Sequence, residues 1–86
     1  MMIMGEVICV YRILPDSPDD FEIVKKALES MEPNRLEEEP VAFGLKALKF
    51  TKIIPDGPGN LEELEKKLNS VDGVGSVENL VTTRAM

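Results

Sequence analysis

The sequence predicts an α+β fold in which two helices lie on one face of a four-stranded antiparallel sheet. Two short stretches place apolar residues at spacings of three and four, Phe21-Val24-Leu28-Met31 and Leu61-Leu64-Leu68-Val71, and each such stripe must be buried against another layer. Strand-like runs lie on both sides of each stretch. Clusters of Pro, Gly, Asp and Ser separate the runs, so the order reads β-α-β-β-α-β. Two strand–helix–strand halves of this kind make the ferredoxin-like split βαβ sandwich, and right-handed crossovers put both helices on the same side.

The first strand covers Gly5 to Leu14. Val7, Cys9, Tyr11 and Ile13 share one face, while Ile8 and Val10 lie on the other between Glu6 and Arg12. With both faces partly apolar, this strand belongs in the sheet interior. Pro15-Asp16-Ser17-Pro18 stops it, and Ser17 as N-cap, Pro18 at the first helical position and Asp20 three residues after Ser17 predict a helix from Pro18 to about Met31, ahead of Pro33.

Arg35 to Val41 reads as an edge strand, because Glu37, Glu38 and Glu39 crowd it and Pro40 has no N–H to give to a central ladder. Beyond the Phe43-Gly44 bend, Leu45 to Ile54 alternates lysines with Leu48, Phe50 and Ile53 and is long enough for a second central strand. Pro55 to Gly59 is a loop by composition. Asn60 and Glu63 predict a capping box for the second helix, and Glu62–Lys66 and Glu63–Lys67 predict i,i+4 pairs on its wet side. Gly73 and Gly75 are expected to end that helix, and Ser76 to Thr83 to form the last strand.

Composition narrows the chemistry. Eighty-six residues suit a single domain over 1–86. The chain has no His and one Cys, so the usual zinc sites and His-based acid–base pairs are excluded, and Cys9 reads as a buried small hydrophobe. The net charge is −6, with ten acidic and four basic groups in residues 1–43 and six of each in residues 44–86. An acid surplus repels phosphate backbones, which argues against direct nucleic-acid binding and for a protein partner. No apolar run approaches the roughly twenty residues that span a bilayer, and Met1-Met2-Ile3-Met4 lacks the flank and cleavage site of a secretory signal. A cytoplasmic location without membrane association is expected.

Three consecutive glutamates at 37–39 suggest a divalent cation, but neighbours on a strand point to opposite faces and do not converge on one ion, so no metal is expected there. Other functions of this fold fail on residues. Soft-metal carriers need paired cysteines. RNA-recognition modules need aromatics on the central strands, where only Tyr11 and Phe50 stand, and acyl-phosphate hydrolases need an anion cradle where this chain has Pro15, Asp16 and Pro18. A small-ligand or structural interaction module working through the open sheet face stays as the competing class.

The stretch Glu37-Glu38-Glu39-Pro40-Val41-Ala42-Phe43-Gly44-Leu45-Lys46-Ala47-Leu48 resembles the signature of the elongation factor 1-beta family, particularly its short archaeal type. The first strand ending before Pro15-Asp16-Ser17-Pro18-Asp19, the Gly73-Val74 turn and the short last strand are similar too, so the resemblance covers Met4 to Met86. It implies a guanine nucleotide exchange factor with no cofactor of its own, whose partner is the elongation factor 1-alpha GTPase that carries aminoacyl-tRNA. Phe43 matches the residue that contacts the GTPase and Gly44 its turn partner, and Pro40 and Lys46 flank them. Eukaryotic members bring a Lys near the last residue into the partner's magnesium site. This chain ends Thr82-Thr83-Arg84-Ala85-Met86, so the resemblance leaves that role to Arg84, a planar fork in place of a compact ammonium, with Met86 beside it.

Overall fold

A computed structural model describes residues 5–85. Met1 to Met4 and the expected contact residue Met86 lie outside the described residues, and so do the side chains of Phe43 and Ala85. The chain runs β1 (Glu6–Pro15), a 3-10 turn (Pro18–Asp20), α1 (Phe21–Ser30), β2 (Arg35–Pro40), a second 3-10 turn (Ala42–Gly44), β3 (Lys46–Pro55), α2 (Asn60–Asn69) and β4 (Val74–Ala85). The four strands form one antiparallel sheet in the order β2-β3-β1-β4, with β1 and β3 central and the acidic β2 at an edge as its Glu and Pro content predicts.

Alternation along β1 decides which face is covered. Cys9, Tyr11 and Ile13 are buried with Leu48, Phe50 and Ile54 of β3, and Val24, Leu28, Leu64 and Leu68 descend on them from the two helices, so both helices share one face of the sheet. Phe21, Met31 and Leu61 extend the stripes at the helix ends, where they are half-buried. Tyr11 and Phe50, the two aromatics on the central strands, are 1% and 0% exposed beneath the helices and offer no stacking surface. Tyr11 donates its hydroxyl to Glu65 Oε2 of α2 at 3.0 Å. Burial first, and that carboxylate second, raise the phenol above its ordinary pKa.

No helix among the described residues covers the opposite face. Arg12 spans it, reaching from β1 across β3 to Glu39 Oε1 of β2 at 2.8 Å and sideways to Glu78 Oε1 of β4 at 3.1 Å. That crossing needs a small residue on β3, and Ala47, which pairs with Glu39, is fully buried there. Adjacent glutamates diverge as strand geometry demands: Glu38 turns to Lys25 of α1, Glu39 to Arg12 on the far side.

Several local expectations are corrected. Ser17 is the N-cap and Pro18 follows it as expected, but they open a 3-10 turn ahead of α1, where the Asp20 amide donates to the Ser17 carbonyl at 3.0 Å and the Ser17 hydroxyl bonds the Asp20 carboxylate at 3.1 Å rather than a backbone amide. The N-cap of α2 is Gly59, not Asn60, whose side-chain amide instead donates to the Pro55 carbonyl at 2.9 Å and pins the loop. α2 stops at Asn69 rather than at the glycines, since the Asn69 and Ser70 side chains bond the Glu65 and Lys67 carbonyls and turn the chain early. Five ion pairs form among the described residues, and the expected Glu62–Lys66 and Glu63–Lys67 pairs are not among them, in keeping with the small gain of solvated pairs against side-chain entropy. β4 exceeds its expected range at both ends and carries a bulge, where Val10 pairs with Val81 and Tyr11 with Asn79.

Candidate functional site

The residues expected to touch a partner fall at the two opposite ends of the sheet. At the first end β1 finishes, α1 begins, and β2 turns into β3. Pro40 closes β2 in an exposed position, and the amide of Val41 donates to the Leu45 carbonyl at 2.9 Å, so residues 41–45 form a tight loop around the 3-10 turn. Gly44 completes it at φ 74°, a left-handed conformation that costs a side-chain-bearing residue, although a Cβ at that point would meet nothing within 4 Å. The backbone thus fixes the turn that carries Phe43, while its outer side is open.

Lys46 follows at the start of β3. Its ammonium stands over the Phe21 ring, 5.7 Å from the centroid, and 3.6 Å from Glu38 Oε1. Glu38 also holds Lys25 at 2.8 Å, and this lysine, more than Lys46, keeps the Glu38 carboxyl below its usual pKa, while Lys25 is raised in return. One carboxylate therefore ties α1, β2 and β3 together beside the turn.

Between the turn and the start of α1 lies a cleft of ≈ 420 Å³. Leu14, Phe21 and Leu45 give it apolar walls, Asp16 and Glu22 contribute acid, and Lys46 stands at its edge. Its floor is anchored from β4's side, where the Asp16 amide donates to the Gly73 carbonyl at 2.6 Å and Gly75 passes so close that a Cβ would sit 3.0 Å from the Asp16 Cα. Leu45, 43% exposed, is one of the large apolar side chains the fold leaves outside. Sequence patterning did not reveal the cleft. It assigned Phe21 to the buried stripe and Leu45 to a strand, whereas both are wall residues, and the available signal was that Phe21 opens its stripe straight after an acidic, proline-bounded loop.

Arg84 sits at the other end. It pairs across β4 with Val7, near the start of β1, and its Nη1 lies 3.2 Å from Asp56 Oδ2 in the loop after β3. The carboxylate is well placed, because the Asp56 amide donates to the Gly5 carbonyl at 2.9 Å. The Arg84 side chain is 74% exposed. Val7 and Pro15 are eight residues apart on one strand, so roughly 25–30 Å separates Arg84 from the Phe43 turn. Pro40, Gly44, Lys46 and the backbone of Phe43 are brought together, and Arg84 is not brought to them.

No helix among the described residues is long and apolar enough to cross a membrane. The sequence model of the EF-1 guanine nucleotide exchange domain matches residues 8–84, which takes in both helices and nearly all of the sheet. The chain is 46% identical to an elongation factor 1-beta of Methanoregula boonei over 93% of its own length and 98% of the relative's. It is 43% identical to an elongation factor 1-beta of Methanobrevibacter smithii and 36% identical to one of Methanothermobacter thermautotrophicus, each over 96% of this chain and all of the relative.

Proposed function

This chain belongs to the EF-1 guanine nucleotide exchange domain family, and from that premise we propose how its two ends divide the work. The protein is a guanine nucleotide exchange factor of translation elongation, promoting GDP release from elongation factor 1-alpha so that GTP can rebind. The observation that carries this is the family match across residues 8–84. We read residues 1–86 as one exchange domain that breaks and forms no covalent bond. A factor that binds the nucleotide-free GTPase more tightly than the loaded one must weaken nucleotide binding by the same ratio, so differential binding is sufficient and no cofactor is required.

Docking is assigned to the first end, where Pro40, Phe43, Gly44 and Lys46 gather on an exposed turn. A rigid turn carrying an aromatic side chain is the kind of anchor that supplies a large share of interface energy. The second end acts on the nucleotide. Arg84, with Met86 two residues on, presents a cation to the magnesium and phosphate region of the GTPase, where an added positive charge opposes retention of the metal. The acid surplus and net charge of −6 support a protein partner without direct contact to nucleic acid. Translation elongation places the work in the cytoplasm, away from membranes.

The test mixes the protein with elongation factor 1-alpha carrying fluorescent GDP and follows release against excess unlabelled nucleotide. Release should accelerate with factor concentration and saturate. An unchanged rate at excess factor would overturn the reading. Phe43→Ala should raise the concentration needed for half-maximal acceleration about thirtyfold, the loss expected for a hot-spot residue worth about 2 kcal/mol.

A further inference from the structure

We propose that the cleft beside the Phe43 turn is a docking site for a segment of elongation factor 1-alpha that presents one large apolar side chain flanked by Lys or Arg. The inference rests on the functional reading above and adds the chemistry that the partner must bring. At ≈ 420 Å³ the cleft falls within the range of binding clefts, roughly 300–1,000 Å³. Its walls, Leu14, Phe21 and Leu45, suit an apolar side chain.

Charge determines what surrounds that side chain. Asp16 and Glu22 both line the cleft, and neither has a cation within 4 Å among the described residues. The two nearby lysines make their close contacts elsewhere, because Lys25 and Lys46 both turn to Glu38, at 2.8 Å and 3.6 Å. The mouth therefore carries two carboxylates without ion-pair partners among the described residues, beside apolar walls. An acidic or purely apolar segment would leave those carboxylates facing like charge or losing water without a partner, whereas a basic-flanked one satisfies both. The backbone of Asp16 is held in place, with its amide bonded to the Gly73 carbonyl at 2.6 Å.

The experiment measures affinity for nucleotide-free elongation factor 1-alpha across ionic strength, using the full chain. Asp16→Asn with Glu22→Gln should weaken binding about three- to tenfold at low salt and flatten the salt dependence, since rim charges act through screened attraction. Leu45→Ser should weaken binding at every ionic strength and leave the slope unchanged. Glu62→Gln with Glu63→Gln, on the exposed side of α2, removes the same charge elsewhere and should change neither. Equal flattening by the α2 pair would reduce the effect to net charge and overturn the proposal, as would wild-type behaviour of the Asp16/Glu22 pair. Phe43→Ala in the same assay separates the two readings. If it weakens binding while the cleft variants do not, the cleft inference fails and the docking turn stands; if it binds as wild type, the docking turn itself is wrong.

Discussion

Gly73→Ala should be among the most damaging single-methyl changes in the protein. Gly73 lies at φ 90°, beyond the small left-handed region open to other residues, so an alanine there carries about 1–2 kcal/mol of backbone strain. Its Cβ would stand 3.0 Å from the Asp20 Cβ and 3.2 Å from Val24 Cγ2. Val24 is fully buried in the core and has nowhere to retreat, and Asp20 closes the 3-10 turn, so relieving the contact adds the roughly 1–3 kcal/mol typical of overpacking. The sum is about 2–5 kcal/mol. At about 4–8 °C per kcal/mol for a domain of this size, the melting temperature should fall by on the order of 10–40 °C. Urea unfolding followed by far-ultraviolet circular dichroism gives the free energy directly. Because the Gly73 carbonyl also receives the Asp16 amide, the folded fraction should show weaker acceleration of GDP release. A loss below about 1 kcal/mol would refute the reasoning, showing that the turn relaxes without disturbing Val24 or the Asp16 loop.

Leu28→Ala, at a fully buried position where α1 meets the sheet, should cost about 2–5 kcal/mol by urea midpoint, and an unchanged midpoint would overturn the burial assignment. Tyr11→Phe removes the bond to Glu65 and should cost about 1 kcal/mol near neutrality. It should also change the alkaline profile. The folded state holds the Tyr11 phenol protonated by burial and by Glu65, whereas the unfolded phenol ionises near pH 10, so this contribution is present below that pH and is lost as pH rises above it. Cys9, raised first by burial and then by Glu65, acts with the same sign from near pH 9. Urea midpoints at pH 8 and 10.5 should therefore fall further for the wild type than for Tyr11→Phe. Arg84→Ala should slow GDP release at saturating factor with little change in half-maximal concentration; a shift in affinity alone would place Arg84 in docking instead.

The fold was legible because its strongest signals are periodic. Val7, Cys9, Tyr11 and Ile13 at period two, and the stripes through Val24–Leu28 and Leu64–Leu68, need a single two-layer packing to be buried together. Glu37 to Glu39 with Pro40 likewise set β2 at the edge. The helix starts were less legible, because Ser17 and Asn60 each had a competing partner: the first bonded the Asp20 carboxylate and the second a loop carbonyl, neither visible without tertiary placement. The cleft was illegible for a related reason. It is built from the end of β1, the start of α1 and the turn before β3, and no periodicity along one segment records how three segments meet. Family likeness singled out Phe43 and Gly44, but it did not show that Glu38 takes both Lys25 and Lys46 and that Asp16 and Glu22 have no ion pair among the described residues.

The separation of the two ends bears on how a chain this small achieves exchange. β1 pairs with β3 over Glu6 to Ile13 and with β4 over Glu6 to Pro15, and the Arg12 crossing to Glu39 and Glu78 ties the open face, so the sheet is a stiff spacer rather than a hinge. A stiff spacer of roughly 25–30 Å cannot place the Phe43 turn and Arg84 in one pocket of the GTPase. In the proposed division of labour this is an advantage. Docking at the turn and cleft supplies affinity that does not depend on the nucleotide, and the sheet then delivers Arg84 to a second place where its charge is favourable only once the metal has left. By linkage only the Arg84 term, which differs between the metal-bound and metal-free GTPase, weakens nucleotide binding, while the uniform docking affinity sets the factor concentration at which it acts. The Arg84–Asp56 pair fits this arrangement. At 74% exposure it contributes little to stability, so Arg84 can exchange Asp56 for the partner's anions at small cost.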